Sequence, residues 1–116
     1  MWKGVINLPP SVSDWPQPFP VRASELQQFA LWFNLAARQG DGSSAFYLSQ
    51  MHLSGEGIEQ DRVVARVWAM VAFAKGIEGA EQILTTLNEE LTEEQMEQSV
   101  QILDEIFQKH PEMLGG

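Results

Sequence analysis

The sequence predicts an all-α chain: a short α-solenoid of antiparallel helix pairs, about five helices, preceded by an extended Pro-rich N-terminal arm. Three observations predict it. Trp32, Ala36 and Gly40 recur 36 residues later as Trp68, Ala72 and Gly76, and Ser44 and Leu48 recur as Ala80 and Leu84. An echo of this length marks stacked helical hairpins, because one hairpin cannot bury its apolar face alone. Apolar residues also fall at helical spacing between glycine stops, and no segment alternates as a strand would.

Residues 1–22 hold five of the six prolines, which fix φ and bias their predecessors to extended geometry. Trp2, Val5, Ile6, Leu8, Trp15 and Phe19 make this stretch too apolar for a free tail. It is expected to lie along the folded body and cover one end of the stack, or to dock a partner in extended form. A helical domain then spans residues 23–110, and residues 111–116 form a tail.

The first helix is expected after Ser24, which with Gln27 fits a capping box. Leu26, Phe29, Ala30, Phe33, Ala36 and Ala37 form its stripe, and Gly40-Asp41-Gly42 ends it. The second runs from about Ser44 to Ser54 and breaks at Gly55-Glu56-Gly57. Asp61 caps a third helix, ended by Gly76 and apolar around most of its circumference, which makes it the expected centre. The fourth runs from about Gly79 to Glu90 on Ala80, Ile83, Leu84 and Leu87. Thr92 with Gln95 opens a fifth, carrying Met96, Val100, Leu103 and Phe107 and widened by Ile102 and Ile106; Pro111 closes it.

The 116 residues suffice for one domain with a modest core. There is no cysteine, which excludes disulfides, a thiol nucleophile and cysteine-ligated metals. The residues after Lys3 are too few and too weakly apolar for a secretory signal core, and the longest apolar run, Val67 to Ala74, is far short of a membrane span. A cytoplasmic location is the expectation. The net charge of −9 lies wholly in the last third: residues 1–75 carry six acids and six bases, whereas residues 76–116 carry ten acids and one base. That disfavours nucleic acid and anionic membranes and leaves a basic protein as a suitable partner.

The central segment runs Ser44-x3-Leu48-Ser49-x-Met51-His52-x2-Gly55-x-Gly57-Ile58-x2-Asp61-x3-Ala65-x2-Trp68-x3-Ala72-x3-Gly76-x3-Ala80. It resembles the Sel-one-like repeat, a bacterial and eukaryotic relative of the tetratricopeptide repeat. About ten constrained positions fall in register over one full unit, residues 44–79. Residues 29–40 resemble the second helix of a preceding unit, and residues 80–109 a following pair that lacks its Gly-x-Gly loop. His52 and Ser44 depart from the family's aromatic and alanine. The resemblance implies a non-catalytic protein–protein interaction module, an adaptor or assembly factor, here read as bacterial, with no cofactor.

In such a unit Leu48, Ser49, Met51 and His52 point inward. Phe46, Tyr47, Gln50 and Leu53 are then left on the outer side, an expected partner-binding surface. Glu89, Glu90, Glu93, Glu94 and Glu97 surround a helix N-terminus. They read either as a solvated, dipole-favourable cap or as a docking patch, the latter in an acidic inhibitor or immunity-type protein that blocks a basic site. The chain reads as a monomer or as a homodimer through the C-terminal helix, whose apolar face Ile102 and Ile106 broaden. No second ligand stands at metal spacing from His52, His110 follows a helix end, and Glu56 sits between two glycines in a variable slot. Gly55-x-Gly57 follows a helix and lacks the lysine of a phosphate loop. No catalytic set emerges, so no enzyme, metal or cofactor is expected.

Overall fold

The computed structural model describes residues 23–115, all of whose regular elements are helices: α1 (Ala23–Arg38), α2 (Gly42–Ser54), α3 (Arg62–Ala74), α4 (Ala80–Glu90), α5 (Glu93–Lys109) and the single turn α6 (Glu112–Gly115). The expected arm, residues 1–22, lies outside the described residues. Among the described residues no helix is long and apolar enough to cross a membrane.

The caps explain where the helices start and stop. Asp61 accepts from the backbone N–H groups of Val63 (3.0 Å) and Val64 (3.2 Å), satisfying two donors that the first turn of α3 leaves without helical partners. Thr92 and Gln95 make the reciprocal capping box expected of them, at 3.1 and 2.9 Å. Asp41 caps α2, accepting from the Ser44 hydroxyl at 2.6 Å, so this helix begins at Gly42 and not at Ser44. α1 is already helical at Ala23, so Ser24 lies within the helix and not before its start.

The 36-residue echo is a structural echo at the helix ends. The N–H groups of Gln39, Gly40 and Asp41 bond the carbonyls of Ala36, Ala37 and Ala36. Those of Lys75, Gly76 and Ile77 bond the carbonyls of Ala72, Phe73 and Ala72, the same pattern 36 residues later. Gly40 (φ +99°) and Gly76 (φ +77°) take the left-handed geometry that this closure requires.

As its composition predicts, α3 is the centre: α2, α4 and α5 all pack on it, while α1 packs on α2. Trp68 (2% exposed), Val67 and Ala72 lie in the main core with Ala37, Phe46, Leu48, Ala80 and Ile106. Polar links reinforce the packing. The buried Ser49 hydroxyl donates to the Ala65 carbonyl at 2.7 Å, tying α2 to α3. From α3, Arg66 reaches Asn88 of α4 at 3.0 Å and the hydroxyl of Ser99 on α5 at 2.6 Å, while Ser99 donates in turn to the Met96 carbonyl. The loop after α2 closes on α1 at Gly57 (φ +75°), where an added Cβ would stand 2.5 Å from the Leu26 carbonyl oxygen.

Two further expectations change. On α5, Val100 is half exposed and Ser99 is fully buried in its place. The observed stripe runs Met96, Ser99, Ile102/Leu103 and Ile106: Ser99 receives Arg66, and Ile102, Leu103 and Ile106 pack on the main core. The segment expected as a tail carries α6, whose Met113 is fully buried in the main core.

The echo in sequence is not an echo in energy. Trp68→Ala is expected to cost about 3–5 kcal/mol, as for other buried aromatics, whereas Trp32→Ala, at a half-exposed residue, should stay within about 0.5 kcal/mol. Urea titration of the two variants checks the contrast. Gly57→Ala combines a left-handed φ with a backbone clash and should cost more than about 1 kcal/mol by the same titration.

Candidate protein-docking surfaces

The α2 surface expected to face a partner is largely filled from within. Phe46 (4% exposed) and Gln50 (6%) are buried, and Tyr47 and Leu53 are half-buried. The cause is that α2 lies between α1 and α3 and has little free circumference. Phe46 joins the main core and supports the α3–α4 turn, where a Cβ at Gly79 would approach its ring to 3.1 Å. The Tyr47 ring packs 5.3 Å from that of Phe33 on α1. Leu53 packs against the cluster of Ala65, Leu87 and Leu91. Gln50 Oε1 has no hydrogen-bond partner among the described residues. Leu48, Ser49, Met51 and His52 are buried, as the repeat positions imply. Ile106 is buried and Ile102 half-buried, both turned toward the main core, so they do not offer the open face expected for a homodimer.

The acidic residues do come together at the surface. Glu89 and Glu90 end α4, Glu93 and Glu94 open α5, Glu97 follows one turn on, and all five are exposed. Their position follows from the short α4–α5 corner, Leu91-Thr92. Leu91 is buried and anchors the corner, and the first-turn acids favour the positive end of the α5 dipole. Glu90 pairs with Arg62 at 3.4 Å, both largely exposed, an interaction worth little to stability. Beside them an open cleft of about 370 Å³ is lined by Gln60, Asp61, Arg62, Val63, Glu90, Leu91 and Gln95. Its polar groups are already committed, Asp61 to the α3 cap and Arg62 to Glu90. Among the described residues no three His, Cys, Asp or Glu side chains converge to hold a metal ion.

A third surface escaped the sequence reading. Leu31 (66% exposed), Trp32 (55%) and Leu35 (60%) stand on the outer face of α1. They share that face because they follow i, i+1 and i+4 spacing, opposite the buried Leu26, Ala30 and Ala37. The Trp32 ring rests against that of Phe29, with centroids 5.9 Å apart. The signal was present as a second apolar stripe on a helix whose first stripe was already sufficient for burial. Trp32 was instead assigned to a repeat position whose counterpart, Trp68, is covered.

Both histidines contact groups near them in the chain. His52 is buried, and its Nδ1 lies 3.1 Å from the Glu59 carbonyl, which can only accept, so Nδ1 carries the proton. The contact clasps the α2–α3 loop to α2. Burial pushes the His52 pKa below the ordinary histidine value, against the opposing effects of the Glu59 bond and Asp61. His110 lies at the end of α5 with Nδ1 3.3 Å from Glu112.

No protein-family model, no curated protein and no solved structure matches this chain.

The His52 shift has a signed consequence. Above about pH 7 the ring is neutral in folded and unfolded chains alike, and its titration adds no pH dependence. As pH falls through about 6.5 the unfolded chain gains a proton that the folded chain resists, so stability is lost until the lowered folded pKa is reached. Between pH 7.5 and 5.5 the wild type should therefore lose stability relative to His52→Gln, by up to about 1 kcal/mol. Parallel urea-unfolding midpoints for the two proteins across that range would show that His52 is not the linked group.

Proposed function

We propose that this chain is a non-catalytic protein–protein interaction module, an adaptor or assembly factor of the Sel-one-like type that its central segment resembles. The observation that carries the reading is the outer face of α1. Leu31, Trp32 and Leu35 expose an adjacent set of large apolar side chains on one helix. Contiguous exposed apolar surface on a folded domain marks an interaction site, and a central Trp is a common energetic anchor. The equivalent corners at Gly40 and Gly76 support the repeat-like organisation. The docking surface expected on Phe46, Tyr47, Gln50 and Leu53 is accordingly moved to α1.

A second reading is an acidic inhibitor that blocks a basic site. It is favoured by the exposure of all five glutamates at the α4–α5 corner, of which Glu90 alone makes an ion pair among the described residues. Such a contact would be steered by charge and weakened by salt.

The test is an affinity pulldown from native lysate with tagged wild type and the double variant Leu31→Glu/Leu35→Glu, washed at low and then high salt. A partner that survives high salt and is lost with the double variant supports the α1 surface. A partner released by salt and indifferent to that variant supports the acidic corner. Capture that is unchanged by salt and by the variant would oppose both.

A further inference from the structure

Only Leu91 and Thr92 separate α4 from α5, yet the two helices hardly touch each other; among the described residues each packs on α3 instead. The pair therefore opens from its corner as a V, with α3 as the floor. Arg66 spans the V near its apex, donating to Asn88 on one wall at 3.0 Å and to Ser99 on the other at 2.6 Å. That span identifies the face of α3 that lies in the opening. Met70 is next on this face, its sulfur 3.4 Å from the Arg66 guanidinium, and Phe73 follows one turn on. Leu84, one turn before Asn88, stands on the first wall, and Val100, beside Ser99, on the second. None of these four apolar residues belongs to a core cluster among the described residues, and Phe73 and Val100 are 52% and 53% exposed.

The walls above this strip are acidic. Glu81 stands three residues from Leu84, and Glu97 and Asp104 stand three and four from Val100, all exposed. No base on α4, and none on α5 before Lys109, offsets them. The nearby cations are engaged or turned away: Arg62 pairs with Glu90, Arg66 is held across the V, and Lys75 reaches toward Gly40.

We propose that the groove between α4 and α5 seats a basic amphipathic helix of a partner protein, its apolar face on Phe73 and Val100 and its Lys and Arg side chains along the acidic walls. An apolar floor between rows of acids is complementary to such a helix in both shape and charge. This deepens the reading of the acidic corner as the contact for a basic partner, and rests on it. Charge selects this occupant over the two that the chain itself could supply. A second copy brings a net charge of −9, and residues 1–22 carry two bases against one acid. From Glu97 to Phe107, α5 offers about 15 Å of wall, room for about three turns of the bound helix.

Fluorescence anisotropy of a labelled synthetic peptide tests it. The peptide carries leucine and lysine in amphipathic order over about 14 residues and is titrated with the full chain at low and high salt. A Kd of about 10 µM is expected at low salt. The same composition in scrambled order should bind at least about tenfold more weakly. Phe73→Gln/Val100→Gln changes two exposed positions without changing the charge. It should raise the Kd of the amphipathic peptide at least about tenfold, with an unchanged helical circular-dichroism spectrum. Leu31→Gln/Leu35→Gln on α1 should leave that Kd as it is. Equal binding of the two peptides, or binding indifferent to Phe73→Gln/Val100→Gln, overturns the groove; if that binding still falls with salt, the acidic corner keeps its basic partner. Loss of binding with the α1 variant also overturns the groove and moves the contact to α1. No binding of either peptide overturns the groove and the basic-partner reading together.

Discussion

Trp68 retains 2% of its surface, and one neighbouring helix cannot hide a side chain of that size. Covering it requires the helix that carries it to be surrounded, and α3 is: α2, α4 and α5 all pack against it. The small residues beside it, Ala65, Ala69 and Ala72, are fully buried and let those backbones come close. Removing water from a large aromatic surface is among the strongest stabilising contributions available to a chain of this length. The positions of the other helices follow from that requirement.

Enclosing α3 also encloses part of its polar surface, and the fold meets this cost with specific partners. Arg66 projects from the central helix, and burial makes its charged form less favourable than in water. Asn88 and Ser99 receive its donors, so the side chain joins three helices instead of standing uncompensated. Ser49 plays the corresponding part between α2 and α3. A buried serine is unhelpful as a hydrophobe, and both occur where a hydroxyl completes a bond that the packing would otherwise leave open.

Local rules were legible and tertiary competition was not. The Asp61 cap, the Thr92–Gln95 box and the glycine stops at Gly40 and Gly76 depend on a few adjacent residues, and each appears where the sequence places it. The all-α class and the central position of α3 follow from the apolar pattern for the same reason. The surface assignments failed where two faces of one helix are both apolar. Phe46 and Gln50 read as outward only if α2 has a free side, and that depends on how closely α1 and α3 enclose it. On α5, Val100 and Ser99 are adjacent, and the choice between them was made by Arg66, distant in sequence. The exposed α1 stripe was hidden by the repeat register itself, which assigns Trp32 the environment of Trp68. The acidic corner was readable because exposed charge needs no partner to be placed.

The corners at Gly40 and Gly76 close with the same three backbone bonds at equivalent positions. Each corner is satisfied within its own turn, by groups that lie next to one another in the chain. The stretch between the two glycines is therefore a period with matching joints. Copying it would present each new junction with bonds that the existing ones already make. Growth of such a chain by tandem duplication would meet its main obstacle at the ends, where α1 and α5 have become different surfaces.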